Sequence, residues 1–304
     1  MSTDTIIISS SSAEYFSLVA GMILSVRDNP KGEKVDIGLL DLGLSEEQKR
    51  WLDKKNVQVV KPVWEFGLTD EDNWSIVGYK KYLHIDADAW VNDWSVVEDY
   101  LHSIDRAVIA ITPEIDRCYS NNFADADQFR DFVYECFSEC RGIEYAKRYR
   151  NYPILNAGVY AIAADSPVWQ LWSDSMTVSL QRTRLHAVEQ TSLMIALYDI
   201  FDFSDHNQVQ LMPATHNWLC HQCLPIYDVN AKTLVEPCST NKKIGILHRS
   251  SDEFKTHNEV SVATTACETV KMNLLYDEGS YLTTLKSLFV PISRDWQQRE
   301  GKKF

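Results

Sequence analysis

Short β-branched runs alternate with helical patterns from the start of this chain, and that alternation limits the fold more than any other feature. TIIIS (5–9) reads as a buried strand. AEYFSLVAGMILSVR (13–27) puts Phe16, Val19, Ala20 and Ile23 on one helical stripe, with Ser11 or Ser12 as its expected N-cap. KVDIGLL (34–40) is the next strand, and SEEQKRWLDKK (45–55) is a helix whose Ser45 and Gln48 stand at capping-box spacing. VQVV (57–60), YLHID (82–86) and AVIAIT (107–112) continue as strands, with a helix over SVVEDYLHSI (95–104). Strands separated by helices predict an α/β fold with a mostly parallel sheet covered on both faces. Ligands of such sheets bind beyond the carboxyl ends of the strands.

The second half is less regular. Helices are expected over 126–141, over 166–181 with Pro167 at the first position, and over 187–200. ILNAGVYAIAA (154–164) is strand-like but interrupted by a glycine, and QVQLM (208–212) and KIGILH (243–248) are late strands. With 304 residues the chain can bury a full core in one large domain or two small ones. Its formal net charge of −13 argues against nucleic acid as a partner. The seven cysteines, in a chain whose N-terminus does not read as a signal peptide, are expected to be reduced thiols of a cytoplasmic protein. No apolar run reaches the ~20 residues of a spanning helix.

Two carboxylates, Asp86 and Asp88, stand one residue apart where the strand of KKYLHIDADAWV (80–91) finishes. They form either a polar turn or an oxygen-rich site for Mn²⁺ or Mg²⁺, cations that keep positions open for substrate phosphates. His248 ends another apolar run, ILH (246–248), and is either structural or a third metal ligand. His84 lies on the same side of its strand as Asp86 but ~6–7 Å back, which fits a supporting residue better than a ligand.

YLHIDAD (82–88), ILNAGVYAI (154–162), VEQTSLM (188–194), LMPATHNW (211–218) and ILH (246–248) occur in that order. Together they resemble the GT-A glycosyltransferases, most closely the retaining family that includes glycogenin and bacterial lipopolysaccharide galactosyltransferases. The resemblance implies a Rossmann-like, mixed but mostly parallel sheet flanked by helices, with a transferase domain over 1–250 and a C-terminal extension over 251–304. It implies a hexosyltransferase that moves a sugar from a nucleotide-sugar donor, a UDP-sugar, to a saccharide or glycoconjugate acceptor with retention. Asp86, Asp88 and His248 would hold the metal. Asn156, Ala157 and Gly158 would face the donor sugar, Glu189 would hold its hydroxyls, and Gln190 would lie near the anomeric carbon. Asn156, Glu189 and Gln190 are thus the implied catalytic group. Ser9, Ser10 and Tyr15 would hold the uracil and ribose. Lys255 would touch the diphosphate, with Arg249 as the alternative, because HRSSDEFK (248–255) lacks the glycine and Pro-Trp of the family pattern.

Other features have competing readings. Cys220-His221-Gln222-Cys223 with His216 is a zinc cluster or a set of packed thiols. Trp218, among tryptophans that include Trp64, Trp74, Trp90 and Trp94, is a platform for acceptor stacking or a core residue. The basic, aromatic tail SRDWQQREGKKF (293–304) is a polar terminus or a peripheral membrane contact. A nucleotidyltransferase and a non-catalytic sugar-nucleotide or saccharide-binding relative are the rival functions. The absence of glycine and lysine from SSSSAEY (9–15) counts against the first.

Overall fold

The structure, a computed structural model, describes residues 4–62, 78–122, 125–255 and 259–276. Trp64, Trp74 and the tail 293–304 lie outside the described residues.

The first half forms as the alternation predicts. Strand β1 (Thr5–Ser11), helix α1 (Phe16–Arg27), β2 (Asp36–Asp41), α2 (Glu46–Lys54) and β3 (Val57–Val60) build a parallel edge, with β1 and β2 in register from Ile6↔Asp36 to Ser11↔Asp41. The capping box of α2 is present: Gln48 N–H donates to Ser45 Oγ at 3.2 Å, and Ser45 N–H donates to Gln48 Oε1 at 2.9 Å. The expected cap of α1 is not. Ser11 is the last residue of β1, and the helix starts at Phe16 behind Tyr15, which makes no side-chain cap. Pairing with β2 carries the strand through the serines, so the chain turns later than its polar residues suggest.

Strands β4 (Lys81–Ile85), β5 (Ala89–Val91), β6 (Ile109–Pro113), β7 (Leu155–Ala163) and β8 (Val209–Leu211) complete the sheets around α3 (Ser95–Ser103). The main sheet has the order β3-β2-β1-β4-β7-β6-β8 and is parallel except for β7, which runs antiparallel to both neighbours. Helices α1 and α3 pack on one face, around Phe16, Ile23, Val97 and Tyr100. Helices α4 (Ala126–Arg141), α5 (Ile143–Tyr149), α6 (Val168–Leu180) and α7 (Val188–Ile200) pack on the other, around Phe137, Tyr149 and Leu193. Pro167 precedes α6 as its N-cap rather than filling its first turn.

The glycine interruption of β7 is a bulge. Tyr160 pairs with Ile111 and Asn156 with Thr112, so three residues of β7 sit opposite no residue of β6. Tyr160 and Ile162 face the α7 side while Val159 and Ala161 face the α1 side, yet Ala157 faces the α7 side with Tyr160. The alternation therefore breaks at Gly158, and the Asn156-Ala157-Gly158 segment is aimed away from a regular ladder.

Beyond the strand ends lies a second, smaller sheet of order β5-β13-β9, made with β9 (Trp218–Leu219) and β13 (Ile246–His248). KIGILH thus contributes to this sheet and not to the main one. Between β9 and β13 a three-stranded sheet joins β10 (Ile226–Asp228), β11 (Thr233–Glu236) and β12 (Ser239–Lys243). These strands and α5 carry no periodic signal in the sequence that marks them. A third core, around Tyr119, Trp218, Leu247 and Val262, lies under them, and Phe254 and Leu274 pack into it from beyond residue 250.

Candidate active site

The site forms where the main sheet meets the small one. Asp86 follows β4, and its N–H donates to Gly158 O at 2.8 Å. The chain turns at once, with Ala89 N–H donating to Asp86 O at 3.0 Å, and enters β5. Antiparallel pairing of β5 with β13 sets Ala89 opposite His248. That register brings His248 Nε2 within 3.3 Å of Asp88 Oδ1 and 3.7 Å of Asp86 Oδ2. One ligand atom from each of Asp86, Asp88 and His248 lies within 4.8 Å of the others, a spacing that fits a metal ion. IDAD forms the turn, and the same turn sets its two carboxylates at a spacing that could hold a metal ion.

A chain of hydrogen bonds orients the imidazole. Glu114, just past β6 and buried, accepts from Asn156 Nδ2 at 2.8 Å. Asn156 Oδ1 then accepts from Gly158 N–H at 2.9 Å and from Asn217 Nδ2 at 2.8 Å. Asn217 Oδ1 is left to meet His248 Nδ1 at 2.9 Å. A carboxylate only accepts, so each amide has one orientation, and the series ends with His248 donating from Nδ1. Nε2 is therefore the nitrogen that faces the two carboxylates. This is the arrangement of a ligand histidine held from behind.

The charges support the same reading. Burial and then Asp88 push the Asp86 carboxyl up to about 7. Burial also works to raise Asp88, but His248 and Lys255 hold it below the usual carboxylate range. Burial works to lower His248, and the two aspartates outweigh it, so its basicity rises. The oxygen-and-imidazole donor set fits a divalent ion such as Mn²⁺ or Mg²⁺. Space at the site is fully used: a Cβ on Gly158 would lie 2.3 Å from His248 Cε1 and 2.8 Å from both Asn156 Oδ1 and Asp86 Oδ2.

The other expected residues fall in three groups. Glu189 and Gln190 lie in the first turn of α7, and Gln190 meets the bulge. Gln190 Oε1 accepts from Ala157 N–H at 2.9 Å, and its amide also serves Glu114, so its oxygen is turned to the backbone. Glu189 is exposed as a residue, yet crowding of its carboxyl by the protein and then the charge of Asp86 push it up to about 8. Lys255 reaches Asp88 Oδ2 at 3.3 Å and lies over the Tyr15 ring at 5.4 Å, which joins two residues assigned to the nucleotide side. Ser9 is buried with no hydrogen-bond partner for Oγ among the described residues, and Ser10 is half-buried beside it. Arg249 is buried; its backbone N–H donates to Asp88 O at 3.0 Å, and its charge lies near Cys220.

Two readings need correction. Trp218 is fully buried, donates from Nε1 to Cys223 O at 2.8 Å and packs edge-on against Tyr119, so it presents no face to an acceptor. The zinc reading of Cys220, Cys223, His216 and His221 also fails, because these side chains diverge: His216 Nε2 meets Asp99 Oδ2 at 3.0 Å and His221 Nδ1 meets Ser250 Oγ at 2.6 Å. His84 behaves as a supporting residue. It stacks on Tyr160 with centroids 4.8 Å apart, stands 3.8 Å from Asp86, and burial lowers it to about 4, which keeps it neutral. Sequence reasoning missed Glu114 and gave Asn217 no role. The available signal was an acidic residue one position past a strand, at the end of the sheet where ligands bind.

No family sequence model matches the chain, and no curated protein matches it by sequence. Solved structures do match. The apo structure of WbbM, a bifunctional glycosyltransferase, superposes with a TM-score of 0.53 at 14% identity, covering 83% of this chain and 46% of that one. The fold is that of the GT-A glycosyltransferases. LgtC, a galactosyltransferase solved with donor and acceptor sugar analogs, matches at a TM-score of 0.47 and 12% identity over 97% of this chain and 99% of that one. Core-mannan synthase A of Aspergillus fumigatus, in an Mn/GDP form, matches at 0.43 and 10% over 69% and 73%. Among the described residues no helix is long and apolar enough to cross a membrane.

Proposed function

We propose that the chain is a metal-dependent hexosyltransferase that moves a sugar from a UDP-sugar to a saccharide or glycoconjugate acceptor, with retention. The observation that supports this most is the Asp86–Asp88–His248 cluster at the carboxyl end of a central strand, with His248 held from behind through Asn217. Manganese, or magnesium, bound there would act as the Lewis acid for the leaving diphosphate. Lys255, already drawn to Asp88, would add a second positive charge on the same phosphates.

The sugar would lie between the Asn156–Gly158 bulge and the start of α7. Glu189 is exposed and its carboxyl feels the charge of Asp86, and a carboxylate beneath an oxocarbenium-like ring stabilises its developing charge. Gln190 acts in this reading by holding the bulge in place, since its amide oxygen is bonded to Ala157. Ser9, Ser10 and Tyr15 border the nucleoside side. In a front-face retaining route the leaving phosphate takes the acceptor proton, so no separate general base is required. The same proposal takes residues 1–250 as the transferase unit, with 251–304 as an extension, in a cytoplasmic protein.

The test is calorimetric titration of UDP with Mn²⁺ or with EDTA, on wild type and Asp88→Ala. Binding that requires metal and is lost in the variant supports the reading, and a UDP-sugar screen with NMR of the product anomer then reads turnover and stereochemistry. UDP binding that is equal in EDTA sinks the metal mechanism. Metal-dependent binding without hydrolysis or transfer of any donor would instead favour a non-catalytic sugar-nucleotide binder.

A further inference from the structure

Away from the metal cluster, a second set of reactive side chains gathers where the segment after β6 meets the β11–β12 turn. Cys118 Sγ and Cys238 Sγ are 3.0 Å apart although the residues are 120 positions apart in sequence. Cys223 adds a third thiol, hydrogen-bonded to Cys118. We propose that Cys118 and Cys238 are a modification site: on exposure to a low-molecular-weight disulfide they join in an intramolecular disulfide that ties the segment after β6 to the β11–β12 turn.

The approach of the two sulfurs is held from several sides. Arg117, beside Cys118, donates from Nε to Glu236 Oε1 at 3.0 Å, and its Nη2 pairs with the same oxygen. Glu236 lies two residues before Cys238 and is buried, so the ion pair fixes both backbones next to the sulfurs. Cys118 N–H donates to Asp116 Oδ1 at 2.8 Å. Gln222 Oε1 accepts from Ser120 Oγ and Asn121 N–H, each at 3.1 Å, which ties the same segment to the chain around Cys223. The gap left to close is about 1 Å, given a disulfide bond of ~2.05 Å.

A metal is the other chemistry to weigh, because Asp116, Cys118 and Glu236 also lie within 4.8 Å of one another. Two observations count against it. Arg117 occupies Glu236 Oε1, and Lys242 Nζ stands 3.9 Å from Oε2. Two sulfurs bound at ~2.3 Å to a tetrahedral zinc stand about 3.8 Å apart, well beyond the observed contact.

The reaction balances as a thiol–disulfide exchange. Cys238 is exposed and meets the reagent first. Its thiolate attacks one sulfur of the small disulfide, forms a mixed disulfide and releases one small thiolate. Cys118 then loses its proton to solvent and attacks the Cys238 sulfur, which expels the second small thiolate. Two protein thiols are oxidised and one small disulfide is reduced. Burial raises the Cys118 thiol pKa, so the exposed Cys238 reacts first and Cys118 follows as the resolving thiol. This inference is independent of the sugar-transfer reading, although the segment it would clamp begins at Glu114, the anchor of the His248 hydrogen-bond series.

The experiment incubates the full chain in glutathione buffers of graded oxidation, traps remaining thiols by alkylation and maps tryptic peptides by mass spectrometry. Cys118 falls in peptide 118–130, Cys238 in 233–242, and Cys220 and Cys223 together in 185–232, so each linkage has its own mass. The expected product is 118–130 joined to 233–242, formed equally in Cys223→Ser, lost in Cys238→Ser and reversed by reductant. A dominant link from 118–130 to 185–232 would overturn the proposal. So would a persistent glutathione adduct on Cys238 with Cys118 still alkylatable, or an absence of any linkage in fully oxidised buffer.

Discussion

Replacing Gly158 by alanine tests whether close packing holds the cluster in place. Gly158 does not take a positive φ, so the constraint on a side chain there is one of space. The added methyl would meet His248 Cε1 at 2.3 Å, where ordinary contact begins at 3.4 Å. Relief by the imidazole alone needs a movement of about 1 Å in a close-packed interior. His248 is 3% exposed and tethered through Nδ1, so it has little room to retreat. Backing away from Asp86 Oδ2 and Asn156 Oδ1, each at 2.8 Å, would shift the bulge instead. Overpacking of this kind costs about 1–3 kcal/mol. Either movement displaces part of the ligand set, so Mn²⁺ affinity should fall about 10–100-fold, the range seen when ligand support is lost. Calorimetric Mn²⁺ titration and urea unfolding measure both effects. Gly32→Ala is the control: its methyl would meet Val26 O at 2.2 Å and Trp94 at 2.7 Å, in the connection before β2, at the opposite end of the parallel strands. It should lose stability and keep its Mn²⁺ affinity. If Gly158→Ala binds Mn²⁺ as wild type does and unfolds at the same urea concentration, the idea that packing positions His248 is wrong.

Three further outcomes are expected. Glu114→Gln replaces a pure acceptor by a group that can point a donor at Asn156; His248 should lose its single tautomer, read by ¹⁵N NMR of the metal-free chain, with Mn²⁺ affinity about 10-fold lower. Ser45→Ala removes the oxygen that accepts from Gln48 N–H and should cost about 1 kcal/mol in urea unfolding, with no change in metal binding. Burial holds His216 below its usual pKa of 6.5. The unfolded chain therefore takes up this proton first on acidification, and stability falls as pH drops below about 6.5. His216→Gln should flatten that part of the decline, measured as urea midpoints at neutral and mildly acidic pH; an identical slope would refute the assignment.

Local pattern alone determined much of this protein. Short β-branched runs and helical stripes located the strands and helices of the first half, because strands buried on both faces read as continuous apolar runs and the helices between them repeat their apolar residues at helical spacing. The capping box at Ser45 and Gln48 was legible for the same reason: both partners lie within one turn. Asp86, Asp88 and His248 were legible as candidates through their places at strand ends. What joined them was tertiary. His248 meets Asp88 because β5 and β13 pair across 160 residues, and no local signal records that register. The antiparallel run of β7, and the bulge that aims Asn156 at Asn217, likewise depend on which strands become neighbours. Trp218 shows the limit of residue type as a guide, since an aromatic ring suits a sugar or a core equally well and burial under the small sheet decides for the core. Glu114 shows the converse. An acidic residue after a strand looks like surface until the fold closes over it, and then its inability to donate hydrogen bonds sets the direction of every amide between it and His248.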